Sequence, residues 1–210
     1  MNYLFIDASE NTTLAQTGSE EGFKQQIFAT DRNFAARITL ICDEMLQNAG
    51  LSREEVQMLA VCTGPGSLTG LRVAAAFMRT AAMLLDKPLA GISLFAWSLQ
   101  TLADQGITGP VRLVMPTLID KAFEVWATLP AIEHTAPVLI ERSEVGNQPQ
   151  TWGIRFAAPG ITCMQPEAAS LHKLLTSGGV TTAKGLKELL DILPLYVIPS
   201  QAERKFKEAS

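Results

Sequence analysis

The sequence predicts an α/β fold in which a mixed sheet is flanked by helices. Three short apolar segments come first, at residues 3–6, 12–17 and 24–29, and polar turns separate them. This pattern is typical of three antiparallel strands. Strand and helix patterns then alternate, an order that places helices against the faces of a sheet. The 210 residues suffice for one large domain or for two small lobes that share a core.

The alternating region begins with a helix predicted over residues 34–49. Its apolar side chains recur every three or four residues, which places them on one face of a helix. They are Phe34, Ile38, Ile41 and Met45. Asp31 or Asn33 can cap its start, and Gly50 can end it in a left-handed conformation. The elements predicted next are a buried strand at 58–63, a helix at 69–85, a strand at 89–93 and a helix at 94–103.

The second half of the sequence carries shorter patterns. A hairpin is predicted from residues 111–118 and 122–129. Further strands are predicted at 138–140, 153–157 and 195–198, and helices at 167–175 and 184–190. Glycine, proline and polar residues cluster at 104–110. This cluster predicts a boundary between an N-terminal lobe, residues 1–105, and a smaller C-terminal lobe, residues 106–210.

Charge and cysteine content restrict the classes of function. The formal net charge is −4, so the composition lacks the basic surface that a free-standing nucleic-acid binder needs. The apolar run at 73–85 is interrupted by Arg79 and is too short to span a membrane. Cys42, Cys62 and Cys163 form no CxxC motif, which predicts reduced thiols. Because the N-terminus shows no signal-peptide pattern, we expect a cytoplasmic protein.

The strongest local motif is GPGSLTGLR at residues 64–72, between a predicted strand and a predicted helix. Glycine permits close backbone approach and amides at the start of a helix attract anions, so the loop is a candidate phosphate site. It has neither the Lys of a Walker A loop nor GxGxxG spacing, and a plain strand-to-helix turn is the alternative. Asp7 has two interpretations: its carboxylate contacts nucleotide phosphates through magnesium, or it caps a local turn. The candidate nucleotide- or phosphate-binding residues are Asp7, Gly64, Gly66, Ser67, Thr69 and Gly70.

Catalytic and metal-binding motifs are not found in the sequence. His134 and His172 are 38 residues apart, and neither belongs to an HxxxH or HExxH motif. Cys42 and Cys62 have no neighbouring base and are interpreted as small core side chains. We therefore predict no catalytic residue and no metal ligand in this chain.

The helix predicted over residues 69–85 is apolar on almost all sides. It lies within residues 56–103, a stretch of 48 residues in which only four are charged. Such a helix is either buried within its own chain or shared with a partner, and we favour partner contact.

Five short motifs together resemble the TsaB family, which is also called YeaZ. They are Ile6-Asp7-Ala8-Ser9, the glycine motif GPGSLTGLR, Gly91-Ile92-Ser93-Leu94, the hairpin from Ile119-Asp120-Lys121 to Glu124-Val125-Trp126, and Pro194-Leu195-Tyr196-Val197. The resemblance covers nearly the whole chain. Two departures are Asp31-Arg32-Asn33-Phe34, where family members commonly have a His-Ser-Glu-like run, and Leu68, where they have Phe.

The resemblance implies a fold of the actin, Hsp70 and sugar-kinase type, with two lobes of mixed sheet flanked by helices. It implies a non-catalytic scaffold subunit that supports a TsaD-like paralogue in forming threonylcarbamoyladenosine at position 37 of tRNA. A TsaE-like ATPase is the expected third partner, and tRNA is expected to bind only through the complex. No cofactor is expected in the isolated chain, whereas ATP and magnesium are expected candidates in the complex. A phosphotransferase or ATPase that uses Asp7 and residues 64–70 is the alternative.

The resemblance also implies that the first two long helices form the pairing surface. The interface residues predicted on them are Phe34, Ile38, Ile41, Met45, Leu71, Arg72, Ala75, Met78, Arg79 and Ala82. Without its partner, the protein is expected to form a homodimer through the same helices, because exposed apolar faces of this kind rarely stay uncovered.

Overall fold

The computed structural model describes residues 1–31, 33–117, 120–146, 148, 150–178 and 180–195. The strands are β1 (Tyr3–Asp7), β2 (Thr12–Ser19), β3 (Gly22–Ala29), β4 (Met58–Gly64), β5 (Leu89–Ser93), β6 (Gly109–Pro116), β7 (Lys121–Leu129), β8 (Val138–Glu141), β9 (Thr151–Ile154), β10 (Thr162–Met164) and β11 (Thr182–Ala183). The helices are α1 (Phe34–Ala49), α2 (Leu68–Leu84), α3 (Leu94–Asp104), α4 (Ala168–Thr176) and α5 (Leu186–Leu189).

The first sheet has six strands in the order β11-β5-β4-β1-β2-β3. Strands β1, β2 and β3 form the predicted antiparallel meander, and β4 and β5 run parallel to β1. The two-residue strand β11 adds an antiparallel edge that the sequence did not predict. Because β11 comes from the C-terminal half, the chain returns to the first sheet after building the second. The division into lobes at residue 105 stays a prediction.

The second sheet has five strands in the order β10-β9-β6-β7-β8. Strands β6 and β7 form the predicted hairpin, and β9 runs parallel to β6. Strand β9 ends at Ile154, before the predicted end, because Arg155 has a φ of 54° and turns the chain. Three positions used for the resemblance, Ile119, Tyr196 and Val197, lie outside the described residues, as does most of the strand predicted at 195–198.

Two hydrophobic clusters place the helices on both faces of the first sheet. On one face, α1 and α2 pack against side chains of β1, β2 and β4. On the other face, α3 and α4 share a single cluster with side chains of both sheets. The layers therefore follow the order helices, sheet, helices, sheet. This arrangement of two mixed sheets flanked by helices confirms the predicted fold class.

The ends of α1 and α2 follow from local hydrogen bonds. Helix α1 has the predicted bounds, and Gly50 ends it with a left-handed φ of 72°. The Asp31 carboxylate accepts a hydrogen bond from the Asn33 amide at 2.9 Å and orders the turn that leads into α1. Helix α2 begins one residue earlier than predicted, after Ser67, whose hydroxyl accepts from the Gly70 amide at 3.5 Å. Within the described part of the chain, no helix is long and apolar enough to cross a membrane.

Candidate functional site

The glycine loop between β4 and α2 lies against the turn that follows β1. The Ser67 amide donates a hydrogen bond to the Ser9 carbonyl oxygen at 2.6 Å. A Cβ atom at Gly66 would lie closer than 3.0 Å to Ser9, and one at Gly70 would lie closer than 3.0 Å to the carbonyl oxygen of Ala8. Real Cβ atoms do not approach other atoms this closely. The loop therefore needs glycine at both positions so that two backbone segments can pack together.

Asp7 stands at the end of β1 with both carboxylate oxygens engaged. Its Oδ1 accepts a hydrogen bond from the Ser9 amide at 2.9 Å, and its Oδ2 accepts one from Nη2 of Arg155 at 3.1 Å. Nη1 of Arg155 donates to the Ser9 hydroxyl at 3.0 Å and lies 3.5 Å from the Glu10 carboxylate. Asp7 is only 3% exposed. The carboxylate is thus part of a buried ion pair that joins the first sheet to the second.

Arg155 is the residue of this site that the sequence did not indicate. It stands 148 positions from Asp7, in the turn between β9 and β10, and falls within a predicted strand. A single arginine in a short apolar segment does not form a recognisable motif. Its positive φ depends on the turn around it, so no local pattern could have identified it.

The predicted phosphate-binding residues are brought together only in part. Asp7, Gly66, Ser67 and Gly70 converge on the turn at Ala8 and Ser9, and Thr69 is exposed on the first turn of α2. Gly64 has a φ of +95° and packs against Leu71. A magnesium ion at Asp7 does not fit this arrangement, because a guanidinium already neutralises the carboxylate and would repel a second cation. Nucleotide binding at these residues stays a prediction.

Two buried thiols, Cys62 beside the loop and Cys42 in α1, are held in an unreactive form. Burial raises the pKa of the Cys62 thiol well above its usual value, and the Asp7 carboxylate raises it further. Burial likewise raises the pKa of Cys42 to about 12. Both thiols are therefore protonated at neutral pH, whereas the thiolate is the nucleophilic form. Among the described residues, no group of three or more His, Cys, Asp or Glu side chains is placed to hold a metal ion.

The residues predicted for the partner interface need correction, because most of them form the core of this chain. Eight of the ten are at most 4% exposed: Phe34, Ile38, Ile41, Met45, Leu71, Ala75, Met78 and Ala82. Six of these pack in the cluster between the two helices and the first sheet, Leu71 lies in the cluster on the opposite face, and Ala75 is fully buried within α2. Of the ten, only Arg72 is exposed, and Arg79 is partly buried with its Nε bonded to the Ala75 carbonyl oxygen. Helical periodicity correctly identified a buried face, but the sheet of the same chain covers it.

The outer side of these two helices carries a different apolar surface. A cavity of about 210 Å³ lies between α1 and α2. Its lining includes Cys42, Leu46, Phe77, Ala81, Leu84 and Leu85. Leu84 is 75% exposed, and elsewhere on the two helices Met83 and Leu40 are also exposed. An ion pair at one edge joins the Arg53 guanidinium to the Asp43 carboxylate at 2.7 Å. We call this surface the α1–α2 groove.

Comparison with known proteins gives matches in both sequence and fold. A family model described as "TsaD: tRNA N6-adenosine threonylcarbamoyltransferase" matches residues 24–116. The tRNA threonylcarbamoyladenosine biosynthesis protein TsaB of Bacillus subtilis (strain 168) is 29% identical over 107 residues, which are 50% of this chain and 45% of the relative. The protein of the same name from Haemophilus influenzae is 42% identical over 62 residues, which are 30% of this chain and 26% of the relative.

The fold comparison extends over almost the entire chain. The structure of YeaZ from Pseudomonas aeruginosa matches with a TM-score of 0.71 at 19% sequence identity, and covers 93% of this chain and 99% of that one. The sequence matches, in contrast, span less than half the length of the two curated relatives. Over part of its length the chain is therefore similar in sequence to proteins named TsaB, and it has the fold of YeaZ from Pseudomonas aeruginosa.

Proposed function

We propose that this chain is a non-catalytic subunit in the biosynthesis of threonylcarbamoyladenosine in tRNA, where it binds and supports a TsaD-like paralogue that modifies position 37. The observation that carries the proposal is the sequence similarity to two proteins named for this biosynthesis. The chemistry of the glycine loop agrees with a non-catalytic role. Its one buried carboxylate is paired with Arg155, and the Cys62 thiol beside that carboxylate is protonated.

The α1–α2 groove is the proposed contact surface for the paralogue. Its volume of about 210 Å³ is below the range of roughly 300–1,000 Å³ that is usual for small-molecule pockets. It suits one or two apolar side chains of a partner protein better than a cofactor. Leu84, which lines the groove, and the exposed Leu40 and Met83 on the same two helices would lose contact with water on pairing. These residues replace the buried ones as the predicted interface.

The remaining parts of the proposal concern the oligomeric state of the chain, its other partners and its location. In the absence of the paralogue, a second copy of the chain would cover the α1–α2 groove and form a homodimer. With a net charge of −4, the chain attracts tRNA poorly, so tRNA is expected to bind through the partner proteins. A TsaE-like ATPase would bring ATP and magnesium to the complex. The proposed tRNA modification takes place in the cytoplasm.

A charge introduced into the groove tests this contact. Leu84→Glu should weaken binding to the TsaD-like paralogue by about tenfold or more, because the new carboxylate would be buried without a partner. Ile27→Glu is the matched control, since Ile27 is an exposed side chain of the same size on β3, an edge strand of the first sheet. Binding measured by titration should be unchanged in the control. Equal binding by wild type and Leu84→Glu would exclude this groove as the contact.

A reconstituted modification assay tests the role itself. The paralogue should form threonylcarbamoyladenosine in tRNA much faster with this chain than without it, and Leu84→Glu should reduce the stimulation. Full modification by the paralogue and the ATPase alone would contradict the scaffold role. ATP hydrolysis by the isolated chain, lost in Asp7→Ala, would support the alternative phosphotransferase or ATPase function instead.

A further inference from the structure

We propose that Arg155 is a built-in cation that fills the space between the turn after β1 and the turn after β9, called the cleft below, at the position where a magnesium ion would have to meet Asp7. The three residues Arg155, Asp7 and Ser9 are called the Arg155 clamp below. The clamp closes the cleft in the isolated chain, so that the chain needs neither metal nor nucleotide to hold the glycine loop in place.

The first support comes from charge and burial. The side chains of Arg155 and Asp7 are 13% and 4% exposed, so both charges lie largely out of water. A charge in such a place must be paired, because an unpaired buried charge is strongly unfavourable. Two hydrogen bonds from one guanidinium, to Asp7 and to the Ser9 hydroxyl, satisfy this need with protein groups alone. The glycine loop thus already has the cation that a magnesium–nucleotide complex would bring.

The second support comes from how Arg155 is held. Its φ of 54° lies in a region that non-glycine residues rarely adopt. Its backbone amide donates a hydrogen bond to the Met164 carbonyl oxygen at 2.9 Å, which fixes the turn between β9 and β10. An uncommon backbone conformation that is held by its own hydrogen bond aims this side chain across the cleft.

The clamp connects the second sheet to the start of α2 through a short chain of contacts. Arg155 bonds to the Ser9 hydroxyl, and the Ser9 carbonyl oxygen accepts from the Ser67 amide at 2.6 Å. Ser67 in turn caps α2 through the Gly70 amide. The position of α2 at its first turn therefore depends on a residue from the other sheet.

Amide hydrogen exchange at Ser9 and Ser67 measures whether the clamp holds these segments. Arg155→Met keeps the length of the side chain and removes its charge, and exchange at both amides should become about tenfold faster or more. Arg142→Met is the matched control, because Arg142 is an exposed arginine that lies over the Phe156 ring at 5.5 Å, outside the clamp. Exchange at Ser9 and Ser67 should be unchanged in that variant.

Ser9→Ala gives a milder test that does not depend on the folding of Arg155→Met. It removes one acceptor for the guanidinium, and exchange at Ser67 should again become faster than in wild type. Wild-type exchange rates in Ser9→Ala, or in a folded Arg155→Met, would overturn the proposal. Titration of the wild-type chain with Mg²⁺ and ATP should give no saturable binding. Saturable binding that slows exchange at Ser9 would also overturn it, because the cleft would then accept an external cation.

Discussion

Substitution of Gly70 by alanine separates two explanations for the glycine loop. If the glycine serves only phosphate binding, the substitution should not destabilise the free chain. If it serves packing, as its approach to the Ala8 carbonyl oxygen indicates, the free chain should be destabilised. The new Cβ would lie closer than 3.0 Å to that oxygen. Ala8 is fully buried, and its neighbour Ser9 is fixed by the Ser67 amide, so the backbone there has little room to move.

The expected loss follows from two opposing contributions. Overpacking against a fixed backbone atom costs about 3 kcal/mol, the upper end of the usual range. Replacing glycine by alanine within a helix returns about 1 kcal/mol. The net loss in the free energy of unfolding is thus about 2 kcal/mol, which lowers the Tm of a chain of this length by about 4–8 °C.

Thermal unfolding followed by circular dichroism measures this change. Gly146→Ala is the matched control, because a Cβ at Gly146 would meet nothing within 4 Å and should change the free energy of unfolding by less than about 0.5 kcal/mol. A Gly70→Ala variant that unfolds at the wild-type temperature would refute the packing explanation.

Three further predictions concern the core. Ala75→Glu should destabilise the isolated chain by about 4 kcal/mol or more in denaturant unfolding, because Ala75 is fully buried; a stable variant would contradict its place in the core. A thiol reagent should label Cys163 rapidly in the native protein and reach Cys42 and Cys62 only after unfolding, as counted by mass spectrometry. Burial raises the pKa of Tyr3 from 10.0 to about 12, so stability should fall as pH rises from 10 towards 12, and this part of the fall should be absent in Tyr3→Phe.

Local patterns were sufficient for most of the fold. Helix α1 matches its predicted bounds because its apolar spacing and Gly50 are local signals. Strand β4 was predicted from a short apolar run that is buried on both faces. The short strands β10 and β11 were missed, because segments of two or three residues are too short to show a hydrophobic period. Such segments form strands only where an existing sheet offers a free edge.

The site was less accessible to prediction, for reasons that are physical. The glycine motif was found from the sequence, but glycine permits close approach to any kind of group. The sequence did not indicate that the group approached is the backbone at Ala8 and Ser9. Most residues predicted for the partner surface lie on the buried side of α1 and α2, because periodicity identifies an apolar face without saying what covers it. Leu84 and Met83 stand outside that face and were therefore passed over.

The layer of helices between the two sheets has a consequence for the protein during its synthesis. Helix α3 is complete once residue 104 has been made, yet part of its packing in the core comes from strands β6 and β7 and from helix α4, which are made later. The Trp97 indole donates to the Glu167 carbonyl oxygen, 70 residues further along the chain. Until those residues leave the ribosome, one apolar side of α3 has no cover, and the nascent chain is open to aggregation and to chaperones. We therefore expect the N-terminal half to reach its native form only when the last helix of the shared core has been added.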